Sequence, residues 1–119
     1  MPQVVIHISE TSDVGAKSSL VRDVRRAISK VLQLDIIIGQ VILYESPISQ
    51  RETHADRDPR FVFVETFMYP GHKPALKTEL SEHIIMLINR HLNVDRKNIH
   101  AVIHEIPKEN YFGGMMQQH

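Results

Sequence analysis

Displacing the sequence by sixty residues lays its second half on its first without a gap. Val4 then meets Val64, Lys17 meets Lys77, Leu20 meets Leu80 and Ile28 meets Ile88. Leu32 meets Leu92, Asp35 meets Asp95, Glu45 meets Glu105 and Pro47 meets Pro107. Identities in one uninterrupted register mark a tandem duplication of a single structural unit. Any fold read for one half must therefore serve the other.

The unit reads strand, helix, strand. Val4 to Ile8 is a β-branched run broken only by His7, the pattern of a strand buried on both faces. Thr11, Ser12 and Asp13 offer capping oxygens to a helix that starts near Gly15. Leu20, Val24, Ala27, Ile28, Val31 and Leu32 follow at helical spacing. Arg22, Arg25, Arg26 and Lys30 take the remaining sides and read as a solvated face, since no aromatics interleave them. Val41 to Tyr44 is the second strand, ending at Glu45-Ser46-Pro47.

In the second copy, Phe61 to Met68 is a strand and Tyr69-Pro70-Gly71 a turn. Pro74 suits the first turn of a helix, whose apolar stripe runs from Leu76 to Leu92, and Ile99 to Ile103 closes the unit. The stretch Ile48 to Arg60 has no periodicity and reads as a loop. The expected organisation is one domain over 1–119: a repeat over 2–47, a loop over 48–60 and a repeat over 61–114.

Parallel strands joined by a crossover helix take the right-handed connection, which sets the helix on one face. The expected fold is thus α/β (α+β), a four-stranded sheet carrying both helices on one side. Its other side keeps Val, Ile and Phe side chains that need cover. With 119 residues the chain has no further element to offer, so a second copy of itself is the expected cover.

Composition narrows the function. Fourteen basic residues balance fourteen acidic ones, so no net field draws the chain to nucleic acid or membrane. The absence of cysteine removes disulfides, thiolate nucleophiles and thiolate metal sites. No apolar run approaches the roughly eighteen residues of a membrane span, and no signal core opens the chain. A cytoplasmic location is expected.

Pro2 directly precedes the first strand. Removal of Met1, which a small second residue permits, would leave a rigid secondary amine at the strand's start. An α-amino group titrates near pH 7.7–8.0 unperturbed, and modest desolvation or a nearby cation makes it a general base at neutral pH. The plainer account is that proline at a strand's first position sacrifices no ladder hydrogen bond. If Met1 stays, Pro2 is an amide and no base exists.

Other polar residues divide the same way. Tyr69, His72 and Lys73 follow the third strand, where the duplicated unit sets them near a pocket mouth. A donor or cation there polarises a carbonyl or holds a carboxylate. His100 and His104 share a strand face with His91 near in sequence, but no third ligand completes a metal site. Glu45 and Glu105 occupy equivalent positions and read as structural. Gly113-Gly114 suggests a tight turn or hairpin near the end.

Pro2, Ile6-His7-Ile8, Glu10, Leu20-Val21-Arg22, Ala27-Ile28-Ser29 and Glu45, with the ending Glu105 to Gly114, resemble the tautomerase superfamily. The likeness is to its 4-oxalocrotonate tautomerase-like branch, in the fused, duplicated form. That resemblance implies a homotrimer around a central barrel, and keto–enol tautomerisation of a small 2-oxo or enol acid. It implies Pro2 as the base, a small-molecule substrate, and neither metal nor organic cofactor. Tyr111 falls on the pocket's aromatic position, so the expected substrate-binding set is Tyr69, His72, Lys73 and Tyr111. The family's arginines, however, fall on Ser12 or His72 and on Gln40 or His100. The catalytic positions of hydrolytic and decarboxylating members fall on Tyr69, His72, Leu32 and near Ile38. A catalytically idle binding or assembly protein on the same fold is the competing expectation. Lys73, Arg60 and Lys108 are the cations left to face a carboxylate.

Overall fold

The computed structural model describes residues 2–34 and 38–115; Met1 and Asp35 lie outside them. The elements are strand β1 (Gln3–Ser9), helix α1 (Val14–Leu32) and strand β2 (Gln40–Ser46), then strand β3 (Val62–Met68), helix α2 (Pro74–Leu92) and strand β4 (Ile99–Glu105). Asp13 caps α1, its Oδ1 accepting the Ala16 amide at 2.9 Å, while Pro74 opens α2. Both helices end on a left-handed residue, Gln33 and Asn93, whose amides return to Ser29 and Asn89.

The sheet order is β2-β1-β3-β4. β1 and β2 run parallel, as do β3 and β4, so each half is a β-α-β unit. The halves join by antiparallel pairing of β1 with β3. In that ladder Val5 faces Glu65, Val4 faces Thr66 and Ile6 faces Val64. A pseudo-twofold axis therefore passes through the Val5–Glu65 pair and exchanges the halves.

Both helices cover one face. Val4, Ile6, Ile8, Val62, Val64 and Met68 from the sheet meet Leu20, Ile28, Leu80, Ile84 and Ile88 from the helices in one core. Burying one such side chain contributes about 1.5–3 kcal/mol. β1 alternates strictly between buried and half-buried residues, which corrects the reading of a strand buried on both faces. On the other side, among the described residues, no helix packs over the sheet: Val5, His7, Phe63 and Phe67 are half-buried, and Ile42, Tyr44 and Val102 are exposed.

One further expectation needs adjustment. The connecting segment includes a single 3₁₀ turn at Ile48–Gln50, and Arg51 pins its ends together. The Arg51 guanidinium donates to the Pro59 and Phe61 carbonyls at 2.6 and 2.7 Å and lies 4.2 Å over the Phe61 ring. Gly114 sits in a bend, as a tight turn there requires, and the residues that would form the return strand of a hairpin lie outside the described ones.

Candidate active site

Pro2 is buried at the foot of β1, and its carbonyl accepts the Gln40 amide at 3.1 Å. Gly39 makes this approach at φ +101°, a conformation that a side chain would strain. Its carbonyl accepts from Arg25 Nε at 3.2 Å. Arg25 is thus half-buried and tied to the Pro2 end, whereas Arg22 and Arg26 occupy the solvated face expected of the whole group.

Gln3 pairs with Phe67, so the register sets Pro2 beside Met68 and the exit of β3. There Tyr69 and Tyr111 meet edge to face with centroids 5.9 Å apart. Lys108 Nζ lies 5.5 Å over the Tyr69 ring. The Ile106 amide, donating to Met68 O at 2.7 Å, holds the segment carrying Lys108 and Tyr111 against this end. Pro2, Tyr69 and Tyr111 are therefore gathered at one end of the sheet. His72 is half-buried and Lys73 exposed, in the turn leading into α2.

Of the three cations considered for a carboxylate, Lys108 is the one that touches this aromatic pair. Arg60 lies at the opposite end and is held by Asp58, Nη2 to Oδ2 at 2.7 Å. That contact lowers the Asp58 carboxyl to about 2. Tyr69 was expected from its place after the third strand and Tyr111 from the family resemblance; only the fold brings Lys108 to them.

The histidines separate. His91 donates to Asp23 at 2.8 Å between the helices, away from the sheet's open face. On that face Glu65 accepts from His7 Nε2 at 2.9 Å and from His104 Nε2 at 3.1 Å. The His7 hydrogen bond, seconded by the one from His104, holds the Glu65 carboxyl below its ordinary range against the opposing effect of desolvation. This cluster joins three strands, and no sequence spacing announces it. Glu45 and Glu105 prove equivalent in contact as in position: they accept from Lys17 and Lys77 at 3.0 and 3.2 Å.

The family model described as Tautomerase enzyme matches residues 55–116, more than half of the chain, and the chain belongs to that family. No curated protein matches the sequence. Among solved structures the fold is similar to a wild-type fused 4-OT symmetric trimer, with a TM-score of 0.85 at 19% identity over 94% of this chain and 91% of that one. It is similar to FG41 malonate semialdehyde decarboxylase inhibited by 3-bromopropiolate, at 0.79 and 16% over 94% and 88%. A macrophage migration inhibitory factor-like protein from Entamoeba histolytica also matches, at 0.79 and 17% over 94% and 93%. Identities this low establish the shared fold. The chemistry rests on the residues themselves.

Proposed function

We propose that this protein catalyses keto–enol tautomerisation of a small 2-oxo or enol acid, with Pro2 as general base once Met1 is removed. The observation that supports it best is the burial of Pro2 at the sheet end where Tyr69, Tyr111 and Lys108 collect. Burial disfavours the ammonium form, so a freed Pro2 amine is poised to accept a proton near neutral pH. It takes the proton from the carbon beside the carbonyl, and the C–H pair becomes the C=C bond as the carbonyl π pair settles on oxygen. A donor such as the Tyr69 hydroxyl meets the developing charge, and Lys108 faces the carboxylate. Delivery of the proton to that oxygen gives the enol, the reverse sequence gives the ketone, and the scheme needs no redox partner, metal or organic cofactor.

The same reading makes the working protein a homotrimer. Its open sheet face carries Val5, Ile42, Tyr44, Phe63 and Val102, a surface that single soluble chains rarely leave wet. Intact mass of the native protein tests whether Pro2 is free, and assay on an enol acid tests the rest. Pro2→Ala should lower turnover roughly 10²–10⁴-fold, and residues added ahead of Pro2 should impair it at least as much. The alanine variant also gives up part of a buried ring; losing two methylenes costs about 1–2 kcal/mol of stability. Equal rates in native, extended and alanine forms would place the base elsewhere. Inactivity of every form on enol acids would favour the idle binding or assembly protein.

A further inference from the structure

The second copy of the repeat does without two residues that the Pro2 end uses. Arg25, Gly39 and Pro2 correspond there to Ile85, Ile99 and Val62. Ile85 packs against the core, Ile99 is extended at φ −117°, and Val62 pairs with Ile99 in the ladder. An apolar helix residue and ordinary strand backbone therefore satisfy the fold at these positions. The end that carries Pro2 replaces them with an arginine and a left-handed glycine, and packing alone does not account for the pair.

Their contacts run to Pro2 through a single peptide unit. Arg25 Nε donates to the Gly39 carbonyl at 3.2 Å, and the Gln40 amide of that same peptide donates to the Pro2 carbonyl at 3.1 Å. A charged donor on a peptide oxygen polarises the group and strengthens the N–H on its other side. Gly39 keeps the approach close. A Cβ there would stand 3.6 Å from the Pro2 oxygen and 3.5 Å from Ile28 Cγ2, besides straining a φ of +101°. Once Met1 is gone, the carbonyl is the backbone group that ties Pro2 to the sheet, so its hydrogen bond sets where the amine points.

We infer that Arg25 is a positioning residue for the N-terminal base: through the Gly39–Gln40 peptide it fixes the Pro2 carbonyl, and its charge holds the amine's titration down. The inference rests on the reading of Pro2 as a general base. A cation disfavours the ammonium form, and other charges share this end. Lys30 stands in the last turn of α1, His72 and Lys73 precede α2, and Lys108 lies over Tyr69 near Tyr111. Glu105 is held by Lys77 at 3.2 Å, and Glu109 is exposed. Among the described residues, Arg25 is the charge joined to Pro2 through hydrogen bonds.

The test uses protein whose intact mass shows Pro2 at its N-terminus, treated with a methionine aminopeptidase where Met1 persists. NMR follows the Pro2 amine through its titration and the Gln40 amide through hydrogen exchange. Arg25→Ile, which copies the second repeat, should make the amine titrate about 0.5 pH higher and the Gln40 amide exchange several-fold faster. Arg25→Gln keeps a donor without the charge and should raise the titration with a smaller change in exchange. Arg25→Lys should bring the titration back toward the native value. If Arg25→Ile does not fold, the difference between the glutamine and lysine variants decides. In active protein the ascending limb of the kcat/KM profile should move with the amine. Neither NMR measurement needs turnover, so inactivity on enol acids would overturn the tautomerase reading and leave the role of Arg25 decided by the titration. An unmoved titration or an unmoved Gln40 exchange, whatever the melting temperature does, would make the contact merely structural and overturn the inference.

Discussion

Val5 and Glu65 occupy the same position of the repeat and face each other across β1 and β3, where the two halves meet. The halves differ at their own axis. Val5 is apolar, while Glu65 draws in His7 and His104. Around that difference the stacking is nearly symmetric: His7 lies 5.7 Å from Tyr44, and the equivalent pair Phe67 and His104 lies 4.6 Å apart.

Glu65 should make stability depend on pH. Its folded carboxyl titrates below its ordinary value of 4.5, so its contribution is complete above that value and lost as pH falls through the lowered one. Glu65→Gln should flatten this part of the profile. Urea midpoints between neutral and strongly acidic pH would show it; an unchanged slope would remove Glu65 from the account.

The duplicated core predicts paired effects. Ile28 and Ile88 are both fully buried at equivalent positions. Each change to alanine should destabilise by about 2–5 kcal/mol, and the two values should resemble one another. A denaturant series on the two variants measures both. A silent substitution at either site would contradict the packing.

Lys108 should act on binding more than on proton transfer. Lys108→Ala should raise KM for an enol acid about tenfold, equivalent to one charged hydrogen bond, with the ascending limb of the kcat–pH profile unmoved. Lys108→Arg should restore part of the loss. A displaced limb would instead tie Lys108 to the base's titration.

Substrate charge should matter. If Ser12, Gln40 and His100 stand where the resemblance implies arginines, a dianionic acid such as 2-hydroxymuconate would bring more buried charge than the proposed site can partner. A monoacid such as phenylenolpyruvate should show the higher kcat/KM. Comparable values for both would mean that other groups supply the missing cations.

Much of this architecture is legible from the sequence because it is local. Helix limits follow from Asp13 and Pro74, and the repeat passes each assignment from one half to the other. What is not legible is contact between segments far apart. Nothing in the strand composition states that β1 pairs with β3 and not β4, and this pairing alone brings Glu65 to His7. The Arg25 contact with Gly39 and the approach of Lys108 to Tyr69 likewise depend on chain reversals that no periodicity encodes. Pro2 stands out in the sequence by position alone, and its proposed role follows from that position.

The way Arg51 ties down the segment between the repeats bears on connectivity. Strand pairing and helix packing already hold the halves together, so the covalent link acts as a tether that raises their effective concentration. A single proteolytic nick near His54 to Arg57 should leave both pieces associated in native buffer, and dilution should separate them only slowly. The chain would then behave as a heterodimer of two half-length proteins whose subunits happen to be spliced.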